Sequence, residues 1–325
     1  MPKGESGTVA HFALERLREH GVEHVFGYPG EGINGFLGAF HETEVKIVQT
    51  RHEEIAAFAA TATAKFTDDV GVCMATSGAG AIHLLNGLYD AKLDHQPVVA
   101  IVGQQKTFSL GGDFQQEVDL QALFKDVASE FVQYCMHPGQ IKQLIDRAVK
   151  IAKASRSVTC VIVPADLQEQ EYSEPPREHG VVHTSADRLL PPRVIPYDSQ
   201  LLDAARILND SRKPAILIGQ GAAGAADEVT QLADVLGCGV AKALNGKDAL
   251  PDDLPFVTGG IGLLGTKPSH EMVMGCDTLF MIGTSFPYGE WLPEPGSVRC
   301  VEIDLDGRMI GIRYPTDVSL VGDAR

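Results

Sequence analysis

Residues 70–104 read VGVCMATSGAGAIHLLNGLYDAKLDHQPVVAIVGQ. Two apolar runs, VGVCMAT at 70–76 and PVVAIVG at 97–103, flank a segment long enough for a crossover helix. Runs without polar alternation suit strands covered on both faces, and strand, helix, strand is the unit of a parallel sheet. The rhythm continues outward. VEHVFG (22–27) and VKIVQT (45–50) precede the stretch, and SVTCVIVP (157–164) follows it. Near the start, Thr8 can cap a helix whose Val9, Phe12, Ala13 and Leu17 keep helical spacing up to Gly21.

After SVTCVIVP the alternation breaks. Residues 171–196 are rich in proline and charge and read as a linker or an edge-running connection. It resumes with PAILIGQGAAGAADEVTQLADVLG (214–237), CGVAKAL (238–244), CDTLFMIGT (276–284) and VRCVEIDLD (298–306). The expected fold class is α/β, with two doubly wound domains of mainly parallel sheet, at 1–170 and 197–325.

Bulk chemistry narrows the function. The 325 residues are 44% hydrophobic and 22% charged, enough for two cores. A net charge of −16 argues against a nucleic-acid partner. No stretch reaches the ~20 apolar residues of a membrane span, and the start has no signal-peptide core. The six cysteines form no C-x-x-C pair and mostly sit in apolar runs, as buried free thiols of a reducing, cytoplasmic compartment would.

Several turns lie at predicted strand ends. FGYPGEGIN (26–34) places glycines 27, 30 and 32 at one, which is also ordinary turn punctuation. TSGAGAIHLLNGLYDA (76–91) sets Gly78 and Gly80 between strand and helix, so backbone N–H groups face a crevice; no Gly-Lys-Ser/Thr follows, so it is not a Walker loop. At 45–60, VKIVQTRHEEIAAFAA packs Arg51, His52, Glu53 and Glu54 into a strand-to-helix junction ahead of an alanine-rich helix. Acids in a first helical turn complement the helix dipole, but the alanines require something to approach closely. His52 and His83 have no second ligand at metal spacing, so the expectation is hydrogen bonding and no metal site. IGQGAAGAADE (218–228) meets G-x-G-x-x-G at 219, 221 and 224, yet the following strand CGVAKAL ends in no carboxylate. GGIGLLGT (259–266), GTSFPYGEW (283–291) and EIDLD (302–306) are further candidates, with Phe286, Tyr288 and Trp291 able to flank a flat ring or pack internally.

Taken in order, GVEHVFGYPG, RHEEIAAFAATATAKFT, the 70–104 stretch, LIGQGAAGA, IGTSFPYGEW, VEIDLD and LVGD resemble thiamine-diphosphate enzymes of the pyruvate oxidase and acetolactate synthase superfamily. The second half is most similar to quinone-reducing pyruvate dehydrogenases, also called pyruvate oxidases. The resemblance implies a first domain holding the aminopyrimidine of thiamine diphosphate and a central domain holding FAD. It implies a third domain, beyond this chain, that binds the diphosphate through Mg²⁺. By position Glu53 hydrogen-bonds the pyrimidine nitrogen, favouring the imino tautomer that takes the thiazolium C2 proton. Glu54 is then the capping residue, and the alanine face packs into a subunit interface of a homodimer or homotetramer.

The same resemblance places Tyr28, Pro29 and Gly30, then Thr76, Ser77, Gly78 and Gly80, and finally His83 and Asn86 in the thiamine diphosphate pocket. The FAD residues it implies are Gly219 and Gly221; Gly262, Leu263 and Leu264; Thr284, Ser285, Phe286, Pro287 and Tyr288; and Asp304 and Asp306. Phe114, Gln115 and Gln116 fall in the substrate loop. There the relatives read Gly-Thr-Asp-Ala-Phe-Gln-Glu against GGDFQQE at 111–117 here, and Ala79 replaces a proline. Relatives continue for roughly 200 residues more, about one domain, so the chain reads as a fragment or as one subunit of a split enzyme. The implied activity is decarboxylation of pyruvate or a related 2-oxo acid with electron transfer to FAD. The alternatives are acetolactate-type carboligation and a non-catalytic flavin-binding or interaction module.

Overall fold

The computed structural model describes residues 7–187 and 192–325. The chain forms two compact units, 1–191 and 192–325; residues 188–191 of the expected linker lie outside the described residues.

The first unit runs α1 (Val9–Glu19), β1 (His24–Gly27), α2 (Asn34–Ala39), β2 (Lys46–Gln49), α3 (Glu53–Thr67), β3 (Gly71–Ala75), α4 (Ala79–Leu93), β4 (Val98–Gln104), α5 (Leu120–Phe124), β5 (Val132–Tyr134), α6 (Ile141–Ser155), β6 (Val158–Pro164) and α7 (Ala165–Gln168). Its sheet has the order β2-β1-β3-β4-β6-β5, and every neighbouring pair is parallel. Successive side chains alternate faces. Val72 and Met74 therefore enter one buried cluster, and Cys73 and Ala75 the other. Burial of each large apolar side chain in such a core contributes about 1.5–3 kcal/mol.

The second unit runs α8 (Asp198–Asp210), β7 (Pro214–Ile218), α9 (Ala226–Leu236), β8 (Gly239–Lys242), β9 (Val257–Gly260), α10 (Lys267–Met274), β10 (Thr278–Ile282), β11 (Arg299–Asp304) and β12 (Val318–Val321). Its order is β12-β11-β10-β7-β8-β9, again all parallel. Strands β5, β9 and β12 carry no long apolar run, and the sequence pattern missed them; all three lie on the outer half of a sheet.

Four alanines of α3 answer to neighbours inside the unit. Ala56, Ala57, Ala60 and Ala64 are buried. A Cβ on Gly87 of α4 would lie 2.6 Å from Ala57 Cβ, and one on Gly71 of β3 would lie 2.0 Å from the Ala60 carbonyl. Helix, helix and strand meet at a distance that only Ala against Gly permits.

Residues 171–187, expected as linker, are strapped to the first unit. Glu171 bridges Thr8, and Tyr172 N–H donates to the Gly7 carbonyl at 2.9 Å. Asp146 on α6, fully buried, accepts from Arg16 Nε and Nη2 at 2.8 Å each, and from the Thr184 hydroxyl; His20 Nε2 lies 2.8 Å away. Burial alone would raise this carboxyl, but the bonds from His20, Arg16 and Thr184 outweigh it and hold it at about 2.

Candidate functional site

In an open parallel sheet, ligands bind beyond the carboxyl ends of strands where the strand order reverses. In the first unit that point lies between β1 and β3, so the turns after Gly27 and Ala75 face each other. They interlock. Gly32 N–H donates to Thr76 Oγ1 at 2.9 Å, a Cβ on Gly30 would lie 2.5 Å from Thr76 Cβ, and one on Gly32 would lie 2.8 Å from Ser77 Oγ. Tyr28 and Pro29 stay exposed at the mouth, and Ser77 is fully buried.

Glu53 is brought to this crevice by the junction ahead of α3. Thr50 ties it down, its N–H donating to Gly27 O at 2.9 Å and its hydroxyl to His52 O at 2.9 Å. The helix cap is His52, whose Nδ1 accepts from the Glu54 N–H at 3.2 Å. This corrects the expectation of Glu54 as the cap. Glu54 instead accepts from Asn86 Nδ2 on α4 at 2.5 Å. Acceptance at Nδ1 leaves the proton of a neutral His52 ring on Nε2.

The Glu53 side chain is buried between two turns of α4. Its Oε2 lies 3.0 Å from His83 Nδ1, and its Oε1 would lie 2.9 Å from a Cβ on Gly80. The missing methyl at Gly80 is the space the carboxyl uses. Of the two adjacent acids, one is enclosed and the other is tied at the surface.

Among the described residues, the one group of three metal-capable side chains is His52, Glu53 and His83. Chain spacing does not show that pair of rings; the contact of α3 with α4 makes it. The rings stack at 4.3 Å between centroids and 29° between planes. A ligating nitrogen holds its metal in the ring plane at about 2.0–2.1 Å, and two stacked rings do not converge on such a point. The arrangement suits hydrogen bonding.

The 105–117 loop, which holds Phe114, Gln115 and Gln116, sits directly on this crevice. Gln116 is left-handed (φ 65°), and a Cβ on Gly78 would lie 2.7 Å from Gln116 Cβ. Asp113 is also left-handed (φ 54°). Both are sparsely populated for residues with a side chain, so the surroundings must hold them. Glu117 does part of that, accepting from Gly111 N–H at 2.6 Å and Phe114 N–H at 3.2 Å. Sequence reasoning missed Gln104 and Gln105. Gln104 is the polar end of an otherwise apolar run, and that was the available signal.

In the second unit the reversal lies between β7 and β10. Gly219 and Gly221 meet Gly283 and Thr284 there. A Cβ on Gly219 would lie 2.4 Å from Gly283 O, and one on Gly221 2.7 Å from Gly283 Cα. These glycines serve the contact of two turns. Phe286 is buried and packs with Ile261, Trp291 is half-buried against the same cluster, and Tyr288 is the exposed ring. Gly262 is left-handed (φ 106°) and leads into Leu263 and Leu264, which are 85% and 86% exposed. Ser285 is half-buried and Pro287 exposed. Asp304 ends β11 and accepts from Asp306 N–H at 2.8 Å, and Asp306 accepts from Arg308 Nε at 3.0 Å.

Two all-parallel sheets flanked by helices define the class as α/β, with an enclosed carboxyl at the first switch point. Residues 7–123 match the thiamine pyrophosphate enzyme N-terminal TPP binding domain, and 201–325 match the central domain of the same enzymes. The chain belongs to the thiamine pyrophosphate enzyme family. It is 39% identical over 319 residues to a Bacillus subtilis protein, YdaP, named as thiamine pyrophosphate-containing, covering 98% of this chain and 54% of that protein. It is 32% identical over 316 residues to a pyruvate oxidase of Lactiplantibacillus plantarum (96% and 51%), and 32% over 331 residues to an acetolactate synthase of Arthrospira platensis (98% and 56%). The chain thus spans about half the length of these relatives.

Proposed function

We propose that this chain supplies the pyrimidine-binding and central domains of a thiamine-diphosphate enzyme that decarboxylates pyruvate or a related 2-oxo acid and passes the electrons to FAD. The observation that carries it is the enclosed Glu53 carboxyl, set between Gly80 and His83 at the switch point. Its position supports an aminopyrimidine partner, because one oxygen is anchored by His83 while the other, seated against Gly80, has no hydrogen-bond partner among the described residues. When bound, thiamine diphosphate supplies a nucleophilic carbon and an electron sink for decarboxylation. The chain's own contribution is to hold a proton at Glu53 Oε1 or Oε2 for the ring nitrogen, with His83 orienting the carboxyl. The interlocked turns at 30–32 and 76–77 keep the wall of the pocket in place.

FAD belongs to the same reading. The carboxyl edge of the second sheet, with exposed Leu263, Leu264 and Tyr288 for a flat ring and Asp304 and Asp306 at the end of β11 for ribose hydroxyls, supports it. So does a homo-oligomer, because α3 and α4 carry exposed Ile55, Phe66, Ile82 and Leu93 on one packed helix pair. Mg²⁺ enters with the diphosphate, through ligands outside the described residues. No described helix is long and apolar enough to cross a membrane, and all six cysteines are free and buried, in keeping with a cytoplasmic location. Carboligation to acetolactate is the second reading, supported by the relative of that name.

Glu53→Gln in the full-length protein should fold but lose activity by about 10²-fold or more, the scale of a positioned acid–base group. Glu54→Gln should cost little. Equal losses would overturn the assignment, and product analysis (acetate or acetyl phosphate against acetolactate) separates the two reactions.

A further inference from the structure

Gln104 is the last residue of β4 and lies opposite Pro164 of β6 in register. Proline has no N–H, so the backbone ladder weakens at that end of the strand, where the Gln104 side chain turns to the loop. It is 1% exposed, and its amide uses both ends. Nε2 donates to the Val118 carbonyl at 2.9 Å and to the Tyr134 hydroxyl at 3.1 Å; Oε1 accepts from the Gln105 N–H at 2.8 Å. Val118 follows the loop that Gln105 begins, so one side chain closes the base of 105–117. The next residue aims that base at the crevice, Gln105 Nε2 donating to the buried Ser77 Oγ at 3.0 Å.

The loop has little else inside it. Phe108 and Phe114 are exposed, and residues 111–116 are all exposed. Its remaining ties are polar: Thr107 N–H and hydroxyl to Asp166 at 2.9 and 2.6 Å, and Glu117 to Gly111 and Phe114. A loop without a core takes its shape from such ties, and this one must also hold Gln116 in a left-handed conformation against Gly78.

We infer that Gln104 is a positioning residue that sets the 105–117 loop over the pocket and so governs how the 2-oxo acid is held, without touching cofactor or substrate. This rests on the thiamine-diphosphate reading above. Two of the three bonds of this buried amide, from the Gln105 N–H and to the Val118 carbonyl, close the loop base, and the third, to Tyr134 at the end of β5, anchors it to the sheet; its loss frees the loop while leaving Glu53, on another element, in place.

The test uses the full-length protein as Gln104→Leu, with the near-isosteric Gln104→Glu as a second variant should the first fail to fold. Three quantities are measured: KM and kcat for pyruvate, C2 hydrogen–deuterium exchange of bound thiamine diphosphate, and amide exchange across 105–117. The inference expects KM to rise about tenfold with kcat changing less, faster amide exchange in the loop, and C2 exchange within about twofold of the parent. An unchanged KM with a loosened loop overturns it. C2 exchange falling in step with turnover also overturns it, since that is general damage to the pocket. Glu53→Gln run alongside separates the two failures. If it leaves C2 exchange unchanged, the thiamine-diphosphate reading fails and this inference with it; if it abolishes exchange while Gln104→Leu leaves KM unchanged, only the Gln104 assignment fails.

Discussion

Gly80 and Glu53 share one small volume: a Cβ built on Gly80 would lie 2.9 Å from Glu53 Oε1 and 2.7 Å from Thr76 Cγ2. In most helices Gly→Ala is favourable by about 1 kcal/mol, because glycine gives up more backbone freedom. Gly80→Ala therefore sets propensity against function. The variant should stay folded, with a melting temperature near the parent's, while the added methyl displaces the carboxyl from its seat. Turnover in the full-length protein should fall by about tenfold or more, the cost of misplacing a reacting group. A fully active Gly80→Ala would show that the carboxyl does not depend on this fit.

Much of the fold was legible because buried parallel strands are written as apolar runs. VGVCMAT, PVVAIVG and SVTCVIVP each became a central strand, whereas β5, β9 and β12 lie toward the edges and carry weaker patterns. Glu53 stood out through its junction, but its environment did not. The stacking of His52 on His83 and the closeness of Gly80 are products of α3 packing on α4, and chain spacing carries no information about them. The exchange of roles between His52 and Glu54 was hidden for another reason. Histidine is an uncommon helix cap, and an acid in the first turn is a common one. The G-x-G-x-x-G match at 219–224 was legible but uninformative, since Gly219 and Gly221 serve the close contact with Gly283 and Thr284, and Gly224 lies apart, beside Arg325.

The second unit should make the protein yellow. Its exposed Leu263, Leu264 and Tyr288 near the carboxyl edge suit a flat ring in the proposed reading, with Asp304 and Asp306 at the end of β11. Purified protein should show flavin absorbance that acid precipitation releases. Leu263→Asp together with Leu264→Asp should weaken FAD binding by about tenfold or more with little loss of stability, because both side chains are already in water. Colourless, folded protein that takes up no FAD would remove the flavin from the proposal.

Asp146 gives the first unit a definite response to acid. Its folded pKa of about 2 lies below the unfolded value of about 3.9. A carboxyl depressed on folding stabilises above its unfolded pKa, and that contribution is lost as pH falls through the folded one. Asp146→Asn leaves Arg16 with a weakened partner and should cost about 3 kcal/mol at neutral pH, the scale for breaking a buried ion pair. Denaturant titrations should show this gap holding down to about pH 5 and narrowing between about pH 4 and 2. A gap that stays constant over that range would mean Asp146 acts through packing alone.

The last expectation concerns how the cofactor is held. Thiamine diphosphate brings several negative charges to a chain whose net charge is already −16. Among the described residues the one group able to share an ion is His52, Glu53 and His83, whose stacked rings do not converge on a metal. In the function proposed above the first unit offers a slot for the aminopyrimidine, with Glu53 to hydrogen-bond it, and such a slot gives orientation more than affinity. Calorimetric titration of residues 1–325 with thiamine diphosphate should therefore show weak binding, and added Mg²⁺ should change it by less than about threefold, since a cation gains little without carboxylate or carbonyl ligands. A protein extended to the length of the relatives, of which this chain spans 51–56%, should bind more tightly and in a Mg²⁺-dependent way. Glu53→Gln should weaken the pyrimidine contact in both without touching the metal dependence. If residues 1–325 alone bound thiamine diphosphate tightly and only with Mg²⁺, the described residues would have to contain a diphosphate site apart from the Glu53 crevice, and the division of labour proposed for the two domains would fail.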